Sequence, residues 1–172
     1  MRTSRTGSER SGASALARGD TDGAIAAFRR ALELDPTYAP AAVNLADVYR
    51  ALGRDDEAVA VLVRATRADP RAAAPRHALG LAYVRQKKRP ESLAALGEAV
   101  RLAPDDARYA FVYGVALHDA GRTKEALAVL RAALDKHRFD RDLLSALAAY
   151  SARAGDGAAA EGYQRRLAEL RP

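Results

Sequence analysis

A period of 34 residues runs through the chain and narrows what it can fold into. Pro36, Pro70, Pro104 and Pro172 are spaced by multiples of 34, and Arg138 fills the one slot that lacks proline. With Ala39, Ala73, Ala107 and Arg141 as first positions, the seventh positions read Leu45, Leu79, Tyr113 and Leu147. The eighth read Ala46, Gly80, Gly114 and Ala148. Position 20 reads Ala24, Ala58, Ser92, Ala126 and Ala160, and position 24 reads Phe28, Leu62, Leu96, Leu130 and Gln164. Position 27 reads Ala31, Ala65, Ala99, Ala133 and Leu167. A unit of this size cannot bury its apolar face alone, so stacked neighbours must supply the core.

Each period holds two apolar-periodic segments of about 13 residues, too long for strands and right for short helices. In the unit starting at Ala39 these are Ala41–Leu52 and Asp56–Ala68. Between them, Gly53 suits the left-handed residue that ends a helix, and Asp55 is placed to cap the next one. Gly19, Gly121 and Gly155 repeat the device, whereas the third unit has Lys87 there. Proline at position 32 stops the second helix, because its ring clashes with a continuing turn. Small residues at positions 8, 20 and 27 let helix backbones approach closely.

These landmarks resemble the tetratricopeptide repeat (TPR) family, whose pattern is W-x2-L-G-x2-Y, then A-x3-F, then P. Tyr49 and Tyr83 stand on its Tyr position, Leu117 replaces the third, and no unit has the Trp. The match covers residues 5–172 and implies an all-α, right-handed TPR solenoid of stacked antiparallel helix pairs, about five repeats long. The repeats are 5–38, 39–72, 73–106, 107–140 and 141–172, behind a disordered leader over residues 1–7. The first helix, Ser8–Arg18, is expected to be short or frayed, since Ser11 and Ala15 replace Leu and Tyr and Gly12 adds flexibility. In the last unit Gly157, Gly162 and Gln164 stand where packing residues belong. With no capping helix after it, Tyr163, Leu167 and Leu170 are expected to form an exposed apolar edge. That edge suits self-association, or continuation if the chain is a segment of a larger exported protein.

Composition bounds the chemistry. Apolar residues make up 49% of the chain, 42 of them Ala, and Cys is absent, which excludes a disordered chain and a disulfide-stapled mini-domain. No stretch approaches the ~18 apolar residues of a membrane span. Residues 1–10 have no apolar residue after Met1, so they form no signal-peptide core. The default compartment is the cytoplasm, or the periplasm for a piece of an exported protein. His77 and His118 hold positions 5 and 12 of neighbouring units, about 10 Å apart along the helix direction. Together with His137 they read as surface or groove histidines rather than metal ligands. No catalytic residue, cofactor or metal is assigned, and an enzyme is not expected.

The net charge is +6, and 24 of the 28 cations are Arg. The densest basic run is Arg85-Gln86-Lys87-Lys88-Arg89, read as a solvated loop or a contact for phosphate or an acidic partner. Nucleic-acid readers interleave aromatics with cations. No aromatic residue lies next to this run, so an RNA-binding solenoid ranks below a protein-binding one.

TPR proteins with known ligands line their concave surface with first-helix positions 2, 5, 9, 12 and 13. The resemblance therefore implies a groove of Val43, Asp47 and Arg50, with Asn44 beside them, then His77, Leu81, Val84 and Arg85. It continues through Arg108, Phe111, Val115, His118 and Asp119, and ends with Asp142, Ser145 and Arg153. Leu81, Val84, Phe111 and Val115 make it apolar and Arg50, Arg85 and Arg108 make it basic. Such a strip suits a peptide with an apolar anchor and one or two carboxylates. Phe111 stands out as an aromatic on the open face with no core role. The carboxylate clamp of chaperone-binding TPR proteins is absent, since Glu9, Ala13, Ala74 and Ala78 fill its slots and only Asn44 fits. The asparagine ladder of glycosyltransferase-type superhelices fails likewise, because Ala78, Val112 and Ala146 follow Asn44. Residues 107–121 and 140–144 are also similar to TPR regions that end some bacterial multihaem cytochrome-like proteins, although no haem-attachment motif occurs here. The expected function is a non-catalytic scaffold that binds a protein or peptide and supports complex assembly.

Overall fold

The computed structural model describes residues 4–170 and contains ten α-helices, with no strand among the described residues. They are α1 (Arg5–Ala17), α2 (Thr21–Leu34), α3 (Ala39–Ala51), α4 (Asp55–Ala68), α5 (Ala73–Arg85), α6 (Arg89–Leu102), α7 (Ala107–Asp119), α8 (Thr123–Lys136), α9 (Arg141–Arg153) and α10 (Gly157–Glu169). The chain forms two compact units, residues 1–95 and 96–172. In the first, α1 packs on α2, α3 on α4, and α3 on α5; in the second, α7 packs on α8, α9 on α10, and α7 on α9.

The turn inside each pair follows from one left-handed residue. Gly19, Gly53, Gly121 and Gly155 have φ of +75, +72, +79 and +82°, and Lys87 has +58°. The next residue then donates its N–H back five positions, as Arg54 does to the Tyr49 carbonyl (2.8 Å) and Lys88 to the Tyr83 carbonyl (2.9 Å). That bond satisfies a carbonyl the helix end would otherwise leave open.

The capping differs from expectation by one residue. Arg54 holds the N-cap of α4 with no side-chain cap, and Asp55 is already helical. Aspartate caps only where it falls one place earlier, as Asp20 and Asp156 do for α2 and α10. Proline is also not the only stop. α8 ends at Lys136 without one, and its end is tied down by Lys136 Nζ donating to Asp105 (2.6 Å) and by His137 Nε2 meeting the Asp105 carbonyl (2.8 Å).

Packing inside a pair is small against large. Phe28 is fully buried, and a Cβ on Gly12 would lie 2.6 Å from its ring; on Gly114 it would lie 2.7 Å from Leu130. Gly12 is thus a contact point and not a source of looseness, and α1 runs 13 residues, as long as α3 and α5. It starts at Arg5 behind a Ser4 cap, so residues 5–7 of the expected leader are helical, while residues 1–3 lie outside the described residues. Leu45, Leu62 and Tyr49 complete the first core, and Leu130, Leu143, Leu144 and Leu147 the second. Burying each of these side chains contributes about 1.5–3 kcal/mol. Tyr163, Leu167 and Leu170 are half-buried against the second core, so the apolar edge expected of α10 is largely covered by the protein itself.

Two substitutions test this account by urea or thermal melts. Gly12→Ala should destabilise by about 1–3 kcal/mol, because a rigid ring fills the space. Lys87→Gly should stabilise by roughly 0.5–1 kcal/mol, since glycine adopts the left-handed backbone without a Cβ penalty.

Candidate functional site

Two first-helix faces carry the residues of interest, one in each unit. In the first unit, α3 and α5 lie side by side. Leu81 and Val84 are 37% and 51% exposed, and their spacing of three residues puts them on one face of α5. Asp47 and Arg50 hold the corresponding positions of α3 and pair with each other at 3.0 Å. Arg85 pairs with Asp55 at 3.1 Å, and Asn44 donates to Glu9 at 3.2 Å. Two of the cations expected to await a partner's carboxylate are therefore already matched inside the chain. Exposed pairs of this kind contribute about 0–1 kcal/mol, so exchange for another carboxylate costs little.

In the second unit, α7, α8 and α9 converge on His118. Its ring stacks on Tyr150 with centroids 3.8 Å apart and planes 12° from parallel. His118 Nδ1 lies 3.0 Å from Thr123 Oγ1, and Nε2 lies 2.9 Å from an Nη of Arg153. A guanidinium nitrogen only donates, so Nε2 accepts and the ring proton sits on Nδ1, donating to Thr123. Burial, and next the carboxylate of Asp119, hold the Tyr150 phenol above its ordinary range, with Arg153 working the other way.

The remaining residues divide by burial. Arg108, Asp119, Asp142 and Ser145 are exposed, and Val115 is half-buried. His77 is 3% exposed and so lies inside the protein, contrary to its assignment to an open groove. Phe111 is half-buried against the second core and has the core role the sequence reading denied it. Val43 likewise packs on the first core. Position number alone therefore does not separate buried from open first-helix residues.

Residues 15–82 and residues 77–141 each match a family model described as tetratricopeptide repeat. The chain belongs to the tetratricopeptide repeat family. No curated protein matches the sequence. Among solved TPR-like folds it is similar to MamA, with 20% identity and a TM-score of 0.80 over 96% of this chain and 91% of that one. It is also similar to YrrB, described as a TPR protein with an unusual peptide-binding site, at 22% identity and TM-score 0.74 over 96% and 86%. PilF of Pseudomonas aeruginosa gives 24% identity and TM-score 0.80 over 98% and 77%. At these identities the likeness is one of fold.

In the TPR register, Tyr150 takes position 10 and Thr123 position 17, and neither belongs to the set carried over from the family. A usable signal was present: Arg153 lies 35 residues after His118, one period plus one, which sets them on adjacent first helices. The contacts of Tyr83 were also missed. Tyr83 lies five positions before Lys88, and the helix end folds Lys88 Nζ back to 5.8 Å from the ring centroid. An aromatic residue therefore does adjoin the basic loop.

The raised Tyr150 phenol has a consequence at alkaline pH. Its neutral form is favoured in the folded state, so the stabilisation is full below the unfolded value of 10.0 and is lost as pH rises through the folded one. The denaturation midpoint should fall more steeply beyond pH 10 in the wild type than in Tyr150→Phe. Identical curves would show that the Tyr150 environment does not favour the phenol.

Proposed function

We propose that the chain is a non-catalytic TPR scaffold that binds a protein or peptide segment on its first-helix faces. The observation that carries this reading is the open pair Leu81 and Val84, flanked by Arg50 and Arg85. Two exposed aliphatic side chains on one helix face offer an apolar anchor site, and the flanking cations favour acidic residues beside that anchor. The structural likeness to YrrB, itself a TPR protein with a peptide-binding site, supports the same use of the fold.

Two observations favour binding over catalysis. Acid–base chemistry needs a group free to take or give a proton to a substrate. At His118 both ring nitrogens are engaged, one with Thr123 and the other with Arg153. The cleft of about 410 Å³ between α2 and α4 is lined by Arg29, Glu33, Arg64, Pro36 and aliphatic side chains, with Glu33 the one carboxylate and no hydroxyl, thiol or imidazole among them.

Peptide selection from a random display library tests the proposal. Selected peptides should combine an apolar residue with an acidic one. They should bind the Leu81→Ser/Val84→Ser double variant about tenfold more weakly, a loss of about 1.4 kcal/mol. Unchanged affinity for the double variant would remove this face from consideration.

A further inference from the structure

We infer that the cations Lys87, Lys88 and Arg89 form a second docking surface, separate from the Leu81/Val84 face, and that it takes an acidic segment of a partner protein. Among the described residues, Lys87 is the only non-glycine with positive φ, and it occupies the slot filled by glycine in the other four turns. A lysine in that backbone region is strained, and such strain concentrates where a side chain has work to do. The turn itself is held in place. Arg85 pairs with Asp55, Gln86 Nε2 donates to Asp56 at 2.9 Å, and the Lys88 N–H bonds the Tyr83 carbonyl.

The loop also differs from its counterparts in how its charge is spent. In the second and fourth repeats the residue after the left-handed glycine is an arginine paired three residues on, Arg54 with Glu57 and Arg122 with Glu125. The third repeat has Lys88 and Glu91 at those places, but Lys88 turns away to lie over the Tyr83 ring. Lys87, Lys88 and Arg89 form no ion pair among the described residues. Three adjacent cations on a fixed turn, without carboxylate partners, favour an anionic ligand.

The setting favours carboxylates over a nucleic-acid strand. A phosphate backbone needs a run of available cations, and the corresponding loops have paired theirs internally. Tyr83 is half-buried beneath Lys88, which leaves no open ring for a base to stack on.

Fluorescence anisotropy with a labelled oligoglutamate peptide tests the inference, with an oligothymidylate of equal charge as comparator. The wild type should bind oligoglutamate in a salt-sensitive way, and Lys87→Gly/Lys88→Gln/Arg89→Gln should weaken binding about tenfold. Glycine at 87 preserves the left-handed turn, and an undiminished Tm of the triple variant establishes that its fold is intact. The Leu81→Ser/Val84→Ser variant should bind oligoglutamate like the wild type, which keeps this surface distinct from the first-helix face. The inference is overturned if oligoglutamate does not bind, if it binds the triple variant equally well, or if oligothymidylate binds more tightly.

Discussion

The helix pairs depend on the close contact between a small residue at position 8 of the first helix and a large one at position 24 of its partner, seen in the first and fourth repeats. Gly12 lies against Phe28 and Gly114 against Leu130, with no room for even one added carbon. Interiors packed at crystal-like density make such a contact specific. It sets the distance between the two helices of a pair, and through that the surfaces that remain for neighbours. The alanine excess has a physical use here, since Ala24, Ala31, Ala42 and Ala126 are fully buried at helix seams.

Electrostatics acts on a smaller scale. Most ion-paired arginines among the described residues pair within one turn, such as Arg30 with Glu33 and Arg101 with Glu98, or reach a neighbouring loop, as Arg5 does to Asp35. These pairs stabilise little individually, but they leave the net positive charge unevenly available. Tyr49 shows arginine in a different role. Its hydroxyl accepts from Arg29 at 2.6 Å while the Arg54 guanidinium covers its ring at 4.6 Å, so a core tyrosine keeps its polar end satisfied at the surface.

How legible the fold and the site were in the sequence can be judged residue by residue. The period, the left-handed turns and the two helices per repeat follow from local chemistry, because glycine, proline and apolar spacing act on adjacent residues. The cap at Asp55 was misplaced by one position, and side-chain capping does not tolerate that offset. The stacking of His118 on Tyr150 was not read, although a register of one period plus or minus two residues would have located it. Phe139, 77% exposed in the turn before α9, was not singled out, although its neighbours Arg138 and Asp140 and the polar Thr37, Arg71 and Asp105 at the same register position mark a loop.

The sequence by itself determined the repeated helix pair, the turn chemistry and the family. It did so because those properties depend on residues within one 34-residue unit. Only the tertiary structure decided which first-helix residues are open. His77 is buried and Phe111 and Val43 pack against the cores, Leu81 and Val84 are open, and Arg50 and Arg85 already hold carboxylates. Burial, and the pairing of Arg85 with Asp55, are set by side chains far along the chain, and the size and reach of those neighbours vary between repeats even where the register does not.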